Sequence, residues 1–296
     1  MKNTTIPKWK GLAMGNILLA TDLSPRDDKL ITSALKIAST TGATLHILHV
    51  ANVVKVTKFD DAFEEEAIRC QKYLETYIEQ SPFNARLKYK VHIVDGGRVH
   101  DQISKYAFLH TALCIIVGTP QPDENAPRTG PTTLDKLVER DSYSILAITR
   151  GSNGQYRNIA FRRPPSIASI RSLNIIAPLT QSHELNIYGA VKHSSSPAAG
   201  YWTKLSARYK GMRDRKRRGK IRNAFKAAHA LNRDINYIED IPWKAQRLQD
   251  NILSYHIDLL VLNPKYSDRT SEIKSKNLKN ILRHSPCDFL IIRGIK

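Results

Sequence analysis

The sequence predicts two α/β units in tandem, each a doubly wound parallel sheet with helices on both faces. The 296 residues are long enough for two domains of ordinary size. In the first half, short apolar runs alternate with amphipathic stretches, a pattern typical of parallel strands joined by helices. The second half repeats part of this order, which is the third observation in favour of a tandem arrangement.

The strands of the first half are predicted from continuous apolar runs, because parallel strands are buried on both faces. They cover residues 16–21, 44–50, 88–96, 112–119 and 144–149. In such sheets, ligands bind outside the carboxyl ends of the strands, where the strand order reverses. The ends at Thr21-Asp22, Val50-Ala51 and Gly118-Thr119 are therefore the candidate positions for a ligand.

Helices are predicted between these strands, at about 24–41, 60–80, 99–109 and 132–139. For the first helix, Ser24 is the expected N-cap and Pro25 the first helical residue. Asp27 and Asp28 follow in the first turn, where carboxylates favour the helix dipole. Gly42 is expected to end the helix.

The second half is interpreted as a degenerate repeat of the first. Its predicted strands include 172–179, 184–193 and 234–240, and a helical stretch is expected at about 198–231. Residues 243–264 parallel 98–120, and residues 275–294 parallel the last helix and strand of the first half. Only four residues separate the first two of these strands, so the helix between them is predicted to be missing. The predicted domains are 1–150 and 172–296, joined by a linker at 151–171 that contains the turn formers "GSNG".

Charge is distributed unevenly between the two halves. The net charge is +19, of which residues 1–150 contribute +2 and residues 151–296 contribute +17. The three cysteines, Cys70, Cys114 and Cys287, are widely spaced, which argues against a disulfide scaffold or a zinc site. No apolar run approaches the length of a membrane span. These features suit a protein of the reducing cytoplasm.

Four segments of the first half carry a family resemblance: "NILLATDLS", "ALKIASTTGATLHILHV", "IIVGTP" and "SYSILAIT". Together they make residues 15–150 similar to a universal stress protein domain. The resemblance implies a Rossmann-like fold and a stress-response protein that binds ATP or another adenine nucleotide and is not an enzyme, or at most hydrolyses ATP slowly. Carried over to this sequence, the cofactor-binding residues would be Asp22, Val50, Gly118, Arg128, Gly130, Thr132 and Thr133. It further implies pairing of the two halves through their last strands, with a homodimer as another form of association.

The phosphate loop of the family, of the form G-x-x-G-x9-G-[ST], is altered in this chain. Gln121 and Pro131 replace two of its glycines, and Gly130 stands one residue early. Glycines let backbone N–H groups approach phosphates closely, and proline has no N–H to donate. Arg128 would supply a substitute contact to phosphate. Two hypotheses therefore stay open: a domain that still binds a nucleotide, and a domain that keeps the fold without the ligand.

In the second unit, Thr180 or Gln181 takes the position of Asp22, and no glycine lies between Gly219 and Gly294. Nucleotide binding there by the family's mode is not expected. In this half, residues 204–226 hold eleven Lys and Arg and a single acid, Asp214. Three interpretations stay open: the segment binds nucleic acid, it binds an acidic surface on a partner protein or a membrane, or it forms a solvated or disordered face. The candidate contact residues are Lys210, Arg213, Arg215, Lys216, Arg217, Arg218, Lys220 and Arg222.

Metal binding and hydrolytic chemistry find little support in the sequence. His46 and His49 are three apart on a strand, so their side chains point to opposite faces and cannot share a metal. His100 and His110 bracket a helix and have no partners at metal-ligand spacing. Neither a G-x-S-x-G elbow nor a P-loop motif is present, so no catalytic residue and no metal site are predicted.

Overall fold

The structure is a computed structural model that describes residues 15–24, 27–51, 61–119, 131–140, 143–149, 155–161, 179–180, 184–191, 215, 219, 234–242, 245–262, 282 and 286–293. Its strands are β1 Asn16–Thr21, β2 Thr44–Ala51, β3 Lys88–Asp95, β4 Ala112–Gly118, β5 Ser144–Ile148, β6 Asn158–Phe161, β7 Glu184–Val191, β8 Asp234–Pro242, β9 Leu259–Leu262 and β10 Asp288–Ile291. Its helices are α1 Asp28–Thr41, α2 Asp61–Glu79, α3 Val99–Leu109, α4 Thr133–Arg140 and α5 Ala245–Ser254. A 3₁₀ turn covers Asn84–Arg86.

The strands form one ten-stranded sheet in the order β3-β2-β1-β4-β5-β10-β9-β6-β7-β8. Neighbouring strands are parallel throughout, except that β5 and β10 pair antiparallel. The predicted α/β class with a parallel sheet is therefore confirmed. The two last strands, β5 and β10, pair with each other, as the resemblance implied.

Alternate residues of β1 enter two hydrophobic clusters, one on each face of the sheet. Ile17 and Leu19 pack in a cluster with side chains of α1. Leu18 packs in the opposite cluster with side chains of α3 and α4. All three of these β1 side chains are fully buried. Burial on both faces explains why the strands read as continuous apolar runs.

The start of α1 differs from the sequence expectation. The N-cap is Asp27 and the helix begins at Asp28, whereas Ser24 was predicted as the cap. The Ser24 N–H donates to Asp22 Oδ1 at 2.9 Å, and the Asp27 N–H donates to the Ser24 carbonyl at 2.9 Å. A separate turn therefore precedes the helix. At the other end, Gly42 has a φ of +69° and terminates α1 as predicted.

The position of β6 corrects the reading of the second half. It lies inside the segment predicted as a linker, 151–171, and pairs in parallel with both β7 and β9. This is the place that β1 occupies between β2 and β4, so β6 is the counterpart of β1 in the second half. The strand predicted at 172–179 lies outside the described residues except for Leu179. Only four residues form β6, too few for a periodic pattern to identify. The domain boundaries themselves remain a prediction.

Among the described residues, no helix combines the length and the apolar character that a membrane span requires.

Candidate functional site

The candidate ligand site lies at the carboxyl ends of β1, β2 and β4. Because β2 and β3 lie on one side of β1 while β4 and β5 lie on the other, the strand order reverses between β1 and β4. Loops diverge at such a point and leave a crevice, which is where open α/β sheets bind their ligands. The structure brings three of the predicted residues to this edge. Asp22 and Val50 follow the paired residues Thr21 and His49, and Gly118 ends β4.

A short hydrogen-bonded turn holds Asp22. Its Oδ1 accepts the Ser24 N–H, and its own backbone N–H donates to Asp27 Oδ2 at 3.0 Å. The Thr21 hydroxyl donates to the same Asp27 oxygen at 2.5 Å. Leu23 adopts the left-handed region with a φ of +56°. The Asp22 side chain is exposed at the crevice, and these contacts set its position before any ligand arrives.

The two carboxyl groups of this turn differ in acidity. Burial opposes the ionisation of Asp22, but hydrogen bonds from Ser24 and Asp27 and the nearby His49 outweigh it and hold the pKa of Asp22 below its usual value. Burial, with the Asp22 charge beside it, raises the pKa of Asp27 above its usual value. Asp22 is therefore the more acidic of the two carboxyl groups, and its exposed side chain stands at the mouth of the crevice.

Two residues of this site, Asp27 and His49, were not predicted from the sequence to belong to it. The His49 Nδ1 lies 3.0 Å from the Thr21 carbonyl oxygen. A carbonyl oxygen only accepts, so Nδ1 carries the proton and donates it. This bond ties the end of β2 to the end of β1. No sequence signal marks the contact, because it joins residues 28 positions apart.

Val50 and Gly118 border Asp22 on the two neighbouring strands. Val50 is half-buried and packs against the cluster that lies beneath α3 and α4. Gly118 is exposed, and a Cβ added there would lie 3.8 Å from Leu30 and 3.9 Å from Asp27, which are ordinary contacts. The fold itself therefore does not require a glycine at position 118, and the exposed Gly118 backbone lies beside Asp27.

The predicted phosphate-binding residues are only partly described. Arg128 and Gly130 lie outside the described residues, whereas Thr132 and Thr133 stand at the start of α4. The Thr132 N–H donates to Asp135 Oδ2 at 2.8 Å, and the Asp135 N–H donates to Thr132 Oγ1 at 3.1 Å. This reciprocal pair is a capping box. The Asp135 carboxyl group, 2% exposed, thus occupies the end of α4 where a phosphate would bind.

The basic segment falls almost entirely outside the described residues. Arg215 and Gly219 are helical, and the Arg215 side chain is exposed. The helix predicted at 198–231 is otherwise outside the described chain. So are seven of the eight candidate contact residues: Lys210, Arg213, Lys216, Arg217, Arg218, Lys220 and Arg222.

The structure gives the histidines a different arrangement from the one expected. His46 and His49 point to opposite faces, as predicted: His46 contacts His92, while His49 contacts Thr21. The expectation that His110 has no ligand partners is wrong, because ligand atoms of His46, His92 and His110 all lie within 4.8 Å of one another. These three residues come from separate elements, so no local spacing in the sequence could reveal them.

Comparison with known proteins supports the resemblance in the first half. Residues 14–134 match the model of the universal stress protein family. No curated protein matches the chain in sequence. Among solved structures, the chain is similar to a universal stress protein from Archaeoglobus fulgidus DSM 4304, at 12% identity and a TM-score of 0.59, covering 94% of this chain and 97% of that one. It is also similar to a protein of unknown function from Pseudomonas aeruginosa PAO1, at 13% identity and a TM-score of 0.57, covering 96% and 93%. At these identities the likeness shows the fold alone.

Proposed function

We propose that residues 14–134, which match the model of the universal stress protein family, bind an adenine nucleotide as a non-enzymatic stress-response sensor. The observation that carries the proposal is the position of Asp22. Its ionised, exposed carboxylate stands at the point where the strand order reverses, with Val50 and Gly118 beside it. An open α/β sheet offers its ligand site at this point.

Each of the three residues would contribute a different kind of contact. The Asp22 carboxylate accepts hydrogen bonds, which suits the hydroxyl groups of a ribose. Val50 supplies an apolar surface for the purine ring. The exposed Gly118, which has no side chain, lets a ligand approach the backbone closely. The turn that fixes Asp22 lowers the ordering cost of binding, because the acceptor is already in place.

The phosphates would be held weakly in this scheme. Asp135 already accepts the Thr132 N–H at the start of α4, so this donor is not available to an added anion. Phosphate contacts would come instead from residues 120–130, where Arg128 supplies positive charge. Weakly held phosphates are poorly positioned for attack by water. We therefore propose binding without efficient hydrolysis.

The test is calorimetric titration of the full chain with ATP, AMP and adenosine. Asp22→Asn should weaken binding by about 10- to 100-fold, because a hydrogen bond to a charged group contributes about 1.5–3 kcal/mol. Asp28→Asn is the matched control: it removes one negative charge from an exposed position in the first turn of α1. Equal affinities for wild type and Asp22→Asn would contradict the site, and absence of binding by wild type would contradict the function.

A second candidate function rests on the charge of the second half, where Arg215 is exposed within residues 204–226. We propose that this segment binds a nucleic-acid backbone. Anisotropy with a labelled oligonucleotide should show affinity that falls steeply with salt, since bound phosphates release counterions.

We expect weaker oligonucleotide binding at low salt, and a flatter salt dependence, from a variant that combines Arg215→Gln, Lys216→Gln, Arg217→Gln and Arg218→Gln. The matched control places glutamine at four exposed cations of the first half, Lys72, Arg86, Lys88 and Lys105. An equal loss in both variants would indicate unspecific attraction to net charge. Binding of an acidic peptide, but not of the oligonucleotide, would point to an acidic protein partner instead.

A further inference from the structure

Three histidine side chains meet beneath α3, at the opposite end of the sheet from Asp22. His46 belongs to β2, His92 to β3, and His110 follows the last residue of α3. His46 pairs in register with Lys90, so His46 and His92 point to the same face of the sheet. The approach of three imidazoles from separate elements is a tertiary feature with no part in the proposed nucleotide site.

Two of the rings form a hydrogen-bonded pair. His46 Nδ1 lies 3.0 Å from His92 Nε2, and the two ring planes are parallel to within 1°. The ring centres are 5.3 Å apart while the nitrogens nearly touch, so the rings meet edge to edge. His46 Nδ1 and His92 Nε2 therefore point at one another, and one of them donates a hydrogen bond to the other.

The third ring covers this pair. The His110 ring lies 4.1 Å from His46 and 4.8 Å from His92, tilted by 24° from each. Its backbone is held in place, because Asn16 Nδ2 donates to the His110 carbonyl oxygen at 2.6 Å. The next residue, Thr111, has a φ of +48°, which turns the chain sharply from α3 into β4.

Burial lowers the pKa of two of the three imidazoles, His46 and His92. Burial, followed by the nearby His110, His92 and Lys90, lowers the pKa of His46 to about 4. Burial, His110 and Lys90 also lower the pKa of His92. His46 is 3% exposed, whereas His92 and His110 are half-buried, so an ion could reach the cluster from their side.

We propose that His46, His92 and His110 form a binding site for one divalent transition-metal ion of the zinc class. Imidazole ligands suit Zn²⁺, Cu²⁺, Ni²⁺ and Fe²⁺, whereas Mg²⁺ and Ca²⁺ prefer oxygen ligands. Three histidines with a water in the fourth position is an established tetrahedral arrangement for zinc. Metal binding need not release a proton from the protein. The proton between His46 Nδ1 and His92 Nε2 can move to the other nitrogen of the ring that carries it, which leaves both facing nitrogens free to bind the ion.

The rings must reorient to hold an ion, because the facing nitrogens of His46 and His92 now point at one another rather than at a shared position. Zinc–nitrogen bonds of about 2.0–2.1 Å place two ligand nitrogens about 3.3 Å apart. The pair of His46 and His92 is already near this separation, at 3.0 Å. The His110 ligand nitrogen now lies within 4.8 Å of the ligand nitrogens of His46 and His92. Rotation of the half-buried His110 ring would bring it to the ion.

This metal site is separate from the proposed nucleotide site. His46 pairs with Leu18, four residues before Asp22 along β1. At about 3.3 Å per strand residue, the two sites are roughly 13 Å apart along the sheet. Metal binding at the three histidines therefore does not depend on nucleotide binding at Asp22.

The experiment uses the full chain without an affinity tag, stripped of metal by a chelator. Titration with Co²⁺ should produce the visible absorption of a tetrahedral cobalt site, saturating at one equivalent. Competition with a chromophoric chelator should give the affinity for Zn²⁺. His92→Asn and His110→Asn should each weaken Zn²⁺ binding at least tenfold, since both remove a direct ligand.

His256→Asn is the control. His256 is an exposed imidazole with a φ of +49°, a conformation that asparagine accepts. Near-ultraviolet circular dichroism verifies that each variant is folded. Binding in wild type and His256→Asn, together with loss in the two cluster variants, supports the site. The proposed metal site is overturned if the wild-type protein lacks the cobalt absorption or does not bind zinc stoichiometrically. It is also overturned if all variants bind zinc with equal affinity.

Discussion

Asp288, at the start of β10, is a fully buried carboxyl group with three donors around it. The Thr149 N–H and hydroxyl donate to its Oδ1 at 2.7 and 2.8 Å, and the Tyr156 hydroxyl donates to its Oδ2 at 2.8 Å. Hydrogen bonds to a charged group are stronger than neutral ones, and a buried charge without them costs several kcal/mol. These bonds join residues about 130 positions apart across the seam of β5 and β10.

Tyr156 makes stability depend on pH in the alkaline range. Burial, together with the charge and hydrogen bond of Asp288, raises the pKa of Tyr156 well above its usual value of 10. Above pH 10 the unfolded chain therefore loses a proton that the folded chain keeps. We expect the free energy of unfolding to fall with pH there, by about 1.4 kcal/mol per pH unit from this group.

Urea unfolding of wild type and Tyr156→Phe from pH 8 to pH 11 measures this contribution. The variant should be less stable at pH 8, because it loses a hydrogen bond, but should show a shallower decline above pH 10. Tyr89→Phe removes a tyrosine hydroxyl outside the Asp288 network and serves as control. Identical slopes in wild type and Tyr156→Phe would show that Tyr156 ionises as readily in the folded chain.

At the scale of a single element, α4 shows how local chemistry starts a helix. It has only eight residues, too few to be stable alone. Leu134, Leu137 and Val138 bury one face against the sheet, while the capping box of Thr132 and Asp135 satisfies its first N–H groups.

Loss of this capping box should cost measurable stability. Asp135→Ala and Thr132→Ala should each lower the free energy of unfolding by about 1 kcal/mol or more. The double variant should lose less than the sum, because both changes break the same reciprocal pair. Chemical unfolding of the four proteins completes the cycle. Strict additivity would mean that the two residues act independently, contrary to the observed geometry.

At the scale of the whole molecule, β5 and β10, the last strands of the two halves, pair with each other within one chain. Because β5 and β10 pair with each other, neither offers a free edge for association of two chains at this seam. The outer strands of the sheet are β3 and β8. A homodimer, if formed, would therefore have to use a surface other than the β5–β10 seam.

The limits of sequence reasoning follow from how far apart the interacting residues lie. The strands of the first half were predicted within a residue or so, because burial on both faces produces apolar runs that are visible locally. The N-cap of α1 was misplaced, since the turn before it depends on contacts among Thr21, Asp22 and Asp27. The strand β6 was missed, because its four residues carry too short a pattern.

The amino-acid sequence by itself determined the α/β class, the order of elements in the first half, and the positions of Asp22, Val50 and Gly118 at strand ends. Periodicity and chain connectivity suffice for these, because parallel strands place their carboxyl ends at one edge. Only the tertiary structure decided that Asp27 and His49 support Asp22, that β6 completes the sheet, and that His46, His92 and His110 meet. Those contacts join distant residues through packing, which leaves no regular spacing in the chain.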